Sequence, residues 1–283
     1  MTEGRFARVV IRVGAAAAMA FLYVPLVLVV LYAFSKSIGY SWPPTLFTTK
    51  WFAVAFRPDN LVLPALLNSL KAAVVATVVA LVLGTLAATA VHRYRFFGRE
   101  SISFILVLPI ALPGIVTALS LSSAVDQAHA AGFPITFGIV AVILGHATFC
   151  VVVVYNNVLA RMRRTPGSLV EASLDLGADP AQTFRYVTFP ALRTALLAGG
   201  LLAFGLSFDE IVVTLYLSGT TQTLPLWIYD HIRLPVDRPI VNVVAMLVLF
   251  ASIVPVWIAQ RLAGGAEADG VAAIGRPTGG AAP

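Results

Sequence analysis

Two adjacent carboxylates, Asp209 and Glu210, interrupt an otherwise apolar run at 191–217. A carboxylate near the middle of a membrane-spanning helix costs about 2.5–3.5 kcal/mol, so it marks a counter-charge or a path for a polar solute. On a continuous helix adjacent side chains diverge by about 100°, so the two acids point in different directions. Glu210 then shares a polar stripe with Ser207, Thr214 and Ser218, while Asp209 lies one turn from Gly205, where a neighbouring helix can approach closely. Two readings stand. One is attraction of a cationic substrate, with Glu210 on the path. The other is a buried pair with Arg233, His146 or a partner subunit. In another apolar run Pro109, Pro113 and Gly114 free backbone carbonyls, which either line a cavity or make a packing kink. His146 reads as an interhelical hydrogen bonder.

Other chemistry is excluded by what the chain lacks. It has no His-Glu-x-x-His zinc motif, no Gly-x-Ser-Gly and no second acidic motif, so no catalytic residue and no metal site are assigned. The lysines are Lys36, Lys50 and Lys71, and none follows a glycine, so there is no phosphate-cradling Gly-Lys-[Ser/Thr] loop. No cofactor is expected in this chain. Cys150 is the only cysteine, which rules out an internal disulfide framework.

A second group of residues has turn and cap spacing. In the segment 161–190, Ser168 and Glu171 have the spacing of a capping box, and Gly177 is placed to end that helix in a left-handed conformation. Asp179 and Pro180 then start a second helix as N-cap and first helical residue, with Gln182 following, and Pro190 closes the unit. Long connections are uncommon unless they are functional. This one either presents a surface to a partner or packs as an elbow on its own bundle.

The elements that carry these residues follow from composition. The chain has 283 residues, 59% hydrophobic and 11% charged, with a mean hydropathy of +0.90. A soluble domain carries about 25% charged residues, so this is an all-α integral membrane protein. Six apolar runs are long enough to cross a bilayer as helices, at 13–34, 64–91, 102–125, 135–160, 191–217 and 241–262. The expected organisation is a cytoplasmic N-terminus at 1–12 and a first transmembrane helix at 13–34. An outer loop at 35–63 carries interfacial aromatics (Tyr40, Trp42, Phe47, Trp51, Phe52, Phe56), a core domain covers 64–262, and 263–283 forms a disordered tail. The small-residue runs Ala15–Ala18 and Gly199–Gly200 read as sites of close helix packing.

Thirteen of the 19 lysines and arginines fall in or beside 1–12, 92–101, 161–190 and the tail, which places both termini in the cytoplasm. The net charge of +6 is thus a topology signal and does not point to nucleic acid.

The loop also resembles the cytoplasmic signature of permease subunits of binding-protein-dependent ABC importers. That signature is Glu-Ala-Ala, three residues, Gly, nine residues, then Ile-x-Leu-Pro. Here Glu171-Ala172-Ser173, Gly177 and Val187-Thr188-Phe189-Pro190 keep the spacing throughout. The similarity extends from about Leu66 to Leu262. It includes Asn68-Ser69-Leu70, the broken stretch Leu108–Gly114, and Ser207–Val213 with Thr223-Leu224-Pro225, which is most similar to the spermidine/putrescine-type branch.

The resemblance implies a type I ABC importer permease fold of six transmembrane helices in the bacterial inner membrane. It implies a path for a small organic solute, a polyamine in this branch, for which the residues themselves offer Asp209, Glu210, Ser207, Thr214 and Pro113 as candidates. Glu171, Ala172, Ser173, Gly177 and Pro190 would couple it to an ATPase. The implied partners are a second, distinct permease subunit, two copies of an ATP-binding subunit and an external solute-binding protein. The alternative is an ion-coupled secondary transporter working without an ATPase. Such folds usually carry paired repeats and more spans, and no half-to-half similarity is visible here.

Overall fold

Hydrocarbon offers the backbone no water, so an apolar run crosses as a helix that satisfies its own amides. The computed structural model describes residues 5–44, 46–253 and 257 and is helical throughout its long apolar runs. Five helices are long and apolar enough to span a membrane: Val9–Ala33, Val62–Arg93, Ile139–Arg164, Pro180–Phe208 and Pro235–Ile253. A sixth candidate is a pair, Arg99–Ala111 and Gly114–Ala130, bent by 106°. The run expected at 102–125 is therefore two helices, because Pro113 lacks the N–H and its ring opposes a helical conformation in Leu112. The far end of the run at 241–262, the tail at 263–283 and residues 1–4 lie outside the described residues.

The described residues fall into two compact units, one within Met1–Pro64 and Trp227–Ser252, the other within Ala65–Leu226. The first unit begins with α1 (Arg5–Ala33). Residues 9–27 of α1, Ala15–Ala18 among them, are exposed. Past α1 the chain doubles back. Lys36 N donates to Leu46 O at 2.9 Å and Thr48 N to Phe34 O at 2.7 Å. The short helix α2 (Lys50–Ala55) is stapled underneath, its Trp51 indole donating to Ser35 O at 2.8 Å. Trp51 is thus buried, whereas Tyr40, Trp42, Phe47 and Phe56 are exposed as an interfacial belt requires. Trp227 Nε1 donates to Asn60 O at 2.7 Å, and its ring stacks on His231 at 4.1 Å.

The second unit is organised around α6 (Ile139–Arg164), which is packed on several sides. Its neighbour α3 (Val62–Arg93) presents Ala72, Ala76, Ala80, Gly84 and Ala88, one per turn and all buried. Small residues let backbones approach, and at Gly84 a Cβ would lie 2.9 Å from both Val151 O and Val154 Cβ. On α9 (Phe189–Phe208) Gly199 plays the same part, with Val154 Cα 3.3 Å from a Cβ built there. Gly199–Gly200 is therefore a close-packing site as expected. Two polar ties add direction within this apolar unit. Tyr155 donates to Ser103 Oγ at 3.0 Å on α4 (Arg99–Ala111), and the Cys150 thiol donates to Ala203 O at 3.3 Å.

Candidate functional site

The segment at 161–190 folds as two short helices and a transition. The first, α7 (Ser168–Asp175), starts one residue earlier than the cap spacing indicates. Gly167 is its N-cap, and no side-chain cap bond forms. The Ser168–Glu171 capping box is therefore absent. Ser168 already lies inside the helix, and Glu171 N bonds to Gly167 O at 3.2 Å.

The other end of α7 follows the sequence expectation. Gly177 has φ +81, and Gly177 N donates to Leu174 O at 2.9 Å while Ala178 N donates to Ser173 O at 3.1 Å. This pair of bonds is a Schellman motif. The next helix, α8 (Pro180–Thr183), carries a complete capping box: Gln182 N donates to Asp179 Oδ1 at 2.8 Å, and Asp179 N donates to Gln182 Oε1 at 3.0 Å. The Ser173 and Thr183 hydroxyls join α7 to α8 at 3.0 Å.

Pro190 does not close the unit. It lies in the first turn of α9, and a π segment at Phe184–Thr188 connects α8 to α9 without a stop. A proline inside a helix removes one N–H and crowds the carbonyl one turn back. Here the ladder slips by one residue, with Phe189 N bonded to Phe184 O, and the wider turn makes room. The outer side of α7 is left open: Glu171 and Ala172 are exposed, as are Leu169, Leu174 and Leu176.

The second candidate locus is a break in the run at 191–217. α9 ends at Phe208, and a separate short helix, α10, runs from Val212 to Leu217. The continuous polar stripe expected through Ser207, Glu210, Thr214 and Ser218 therefore does not form. Glu210 is not a mid-helix residue, because its carboxylate accepts Val213 N at 3.0 Å and so caps α10. Ser207 and Thr214 are buried on opposite sides of the break and face His146 on α6. His146 Nδ1 lies 2.8 Å from Ser207 Oγ, and Nε2 lies 2.9 Å from Thr214 Oγ1. Thr214 gives its hydroxyl proton to Glu210 O at 2.9 Å. Nε2 must then carry a proton to serve as donor, and Nδ1 accepts from Ser207. The sequence expectation of a satisfied interhelical histidine is met, with two partners that were not foreseen.

Asp209 differs from its neighbour. It is exposed, and its carboxylate has no hydrogen-bond or ion-pair partner among the described residues. Among the described residues no atom approaches within 4 Å of a Cβ built at Gly205, so none of them supplies the neighbouring helix expected beside Asp209.

The break lies beside another. Gly114 opens α5 (Gly114–Ala130) immediately after Pro113. A Cβ there would meet Val212 Cβ and Cγ1, the first residue of α10, at 4.0 Å. The first residues of α5 and α10 thus meet, with Asp209 and Glu210 in the three-residue break before α10. Two acidic side chains, one of them exposed, are a group that a cation could meet. Pro113 is exposed at this locus. Sequence reasoning also missed the role of Asn68 and Ser69, which pin the loop after α10: Asn68 Nδ2 donates to Gln222 O at 3.0 Å, and Leu224 N donates to Ser69 Oγ at 2.8 Å.

Comparison with known proteins agrees with this architecture. The family described as "Binding-protein-dependent transport system inner membrane component" matches residues 61–265. The chain is 35% identical over 263 residues to the putrescine transport system permease protein PotI of Escherichia coli (strain K12), covering 90% of this chain and 91% of that protein. It is 34% identical over 246 residues to the spermidine/putrescine transport system permease protein PotC of the same strain, covering 86% and 90%.

Among solved structures, a bacterial ABC transporter that imports alginate shares the fold. Its TM-score is 0.68 at 17% identity, covering 94% of this chain and 99% of that one. The same kind of transporter in complex with a pentasaccharide-bound periplasmic protein gives 0.71 at 16% identity, covering 91% and 93%. With the family model spanning the broken helices and the segment at 161–190 alike, the chain belongs to the binding-protein-dependent transport system inner membrane components and is a multi-pass, all-helical ABC importer permease of the bacterial inner membrane.

Proposed function

We propose that this permease carries a polyamine-like organic cation past the paired helix breaks, driven by an ATPase that docks on the segment at 161–190. The observation that carries the substrate reading is the exposed carboxylate of Asp209 at the end of α9, without a hydrogen-bond or ion-pair partner among the described residues. A cation leaving water needs its hydration replaced, and a carboxylate does that. The putrescine and spermidine/putrescine permeases to which the chain is similar support the same solute class. Glu210 contributes charge while holding α10 in place. In this reading Ser207 and Thr214 position the break and stay away from solute.

The coupling reading is supported by the exposed face of α7 and by the rigid cap and Schellman bonds on either side of Gly177. The partners in this proposal are a second permease subunit, distinct from this one, two ATP-binding subunits and an external solute-binding protein. Both termini face the cytoplasm.

Uptake of labelled putrescine by Asp209→Asn and Glu210→Gln, at matched complex levels, tests the proposal. A charge-assisted hydrogen bond contributes about 1.5–3 kcal/mol, so Asp209→Asn should lower uptake at limiting putrescine by about tenfold or more. Glu210→Gln retains an oxygen to cap Val213 and should lose less. Undiminished uptake by Asp209→Asn, or a natural substrate that is an anion, would overturn the cation path.

A further inference from the structure

We infer that the short connection between α3 and α4 is a binding site for the headgroup of an anionic phospholipid. α3 is a membrane-length helix ending at Arg93, and α4 begins the bent span at Arg99. The five residues between them join two span ends, so the connection stays at headgroup depth. It carries Arg93, Arg95 and Arg99, and Tyr94, Phe96 and Phe97 are interleaved with them. Phe97 is 105% exposed and Tyr94 64% exposed. Aromatic rings at the end of a membrane span belong among headgroups and upper acyl chains, where one side is apolar and the other wet.

The charges have a counterpart missing. Among the described residues none of the three guanidinium groups makes a hydrogen bond or an ion pair. Glu100 is the one acid in the stretch 92–101. The chain curls at Gly98, φ +84, around an open hollow of about 610 Å³ lined by Arg95, Phe96, Phe97, Arg99, Glu100 and Ser101. Planar guanidinium groups match phosphate oxygens in pairs. Arginines and exposed rings around an open hollow at one span end fit a lipid phosphate better than a protein, because seven residues cannot project past the headgroups to meet one.

The test uses the complete transporter purified in mild detergent and examined by native mass spectrometry with added phosphatidylglycerol or phosphatidylcholine. The wild type should retain phosphatidylglycerol, and R93Q/R95Q/R99Q should bind it about 100-fold more weakly, near fivefold per arginine. R93K/R95K/R99K should recover most of that loss, which separates charge from misfolding, and F97S should weaken binding with the arginines intact. Three results would each overturn the proposal: equal retention of phosphatidylglycerol by the glutamine variant, equal binding of phosphatidylcholine by the wild type, or a glutamine variant that sheds its ATPase subunit while keeping its lipid.

Discussion

The His146 ring holds Thr214 at 2.9 Å through Nε2, and the same ring holds Ser207 at 2.8 Å through Nδ1 on the opposite side of the α9–α10 break. One side chain of α6 therefore fixes the distance between two helices that the backbone alone leaves free. All three side chains are buried, at 1%, 2% and 0% exposure for His146, Ser207 and Thr214. His146→Leu leaves the Ser207 hydroxyl with no acceptor and removes a donor to Thr214. An unsatisfied buried polar group costs about 1–3 kcal/mol. The thermal unfolding midpoint of the purified complex should fall, and putrescine uptake at matched abundance should fall with it. If both stay at the wild-type level, this network does not hold the break.

Two glycines predict opposite tolerance. At Gly84 a Cβ would meet Val151 O at 2.9 Å and Tyr155 N at 3.0 Å, which are backbone atoms that cannot step aside. At Gly145 it would meet Leu217 Cδ1 at 2.5 Å and Val213 Cγ1 at 2.9 Å, the ends of side chains. Overpacking costs about 1–3 kcal/mol. Gly84→Ala should reduce the amount of folded protein in the membrane more than Gly145→Ala does. Quantitative blotting of membranes from cells expressing each at one level decides it, and the reverse order would refute the packing argument.

Gly177 bears on coupling. Its φ of +81 costs an L side chain about 1–2 kcal/mol, and Asn tolerates it better than most. Gly177→Val should leave the protein inserted, weaken retention of the ATPase on purification and abolish uptake, with Gly177→Asn intermediate. Wild-type uptake by Gly177→Val at equal membrane abundance would remove this turn from the coupling mechanism.

Orientation is testable with reporters active only in the cytoplasm. Fusions after Arg164 should be active, and fusions after Trp51 or Thr221 should be silent, given that thirteen of the 19 basic residues lie on one side of the expected topology. The opposite pattern would move the segment at 161–190 outside and end the coupling proposal.

The sequence is legible where local chemistry decides. Apolar runs announce the spans, Pro113 announces one break, and Asp179-Pro180 with Gly177 announces the ends of α7 and α8. It is less legible where a tertiary bond decides. Nothing between Phe208 and Val212 is a helix breaker by type, so the second break reads as continuous helix. Its cause is the Glu210 carboxylate turned onto Val213 N, together with a histidine sixty-odd residues away in the chain. Pro190 was misleading for a related reason. A proline tells where an N–H is missing, but whether the ladder stops or slips depends on the turn before it. At α7 a single position separates Gly167 from Ser168 as N-cap, and spacing alone favoured the residue with the hydroxyl.

The slipped ladder at Phe184–Thr188 has a mechanical consequence. Pro180–Phe208 is one apolar rod of 29 residues, on the order of 40 Å long at the usual helical rise. It starts at the Asp179 capping box and ends beside Asp209. A push or twist applied to α8 therefore arrives at Asp209 without crossing a hinge. The one surplus residue of the π turn sets the rotational phase between the two ends, as a key sets a cam on its shaft. Pro190 is what keeps that key in its slot.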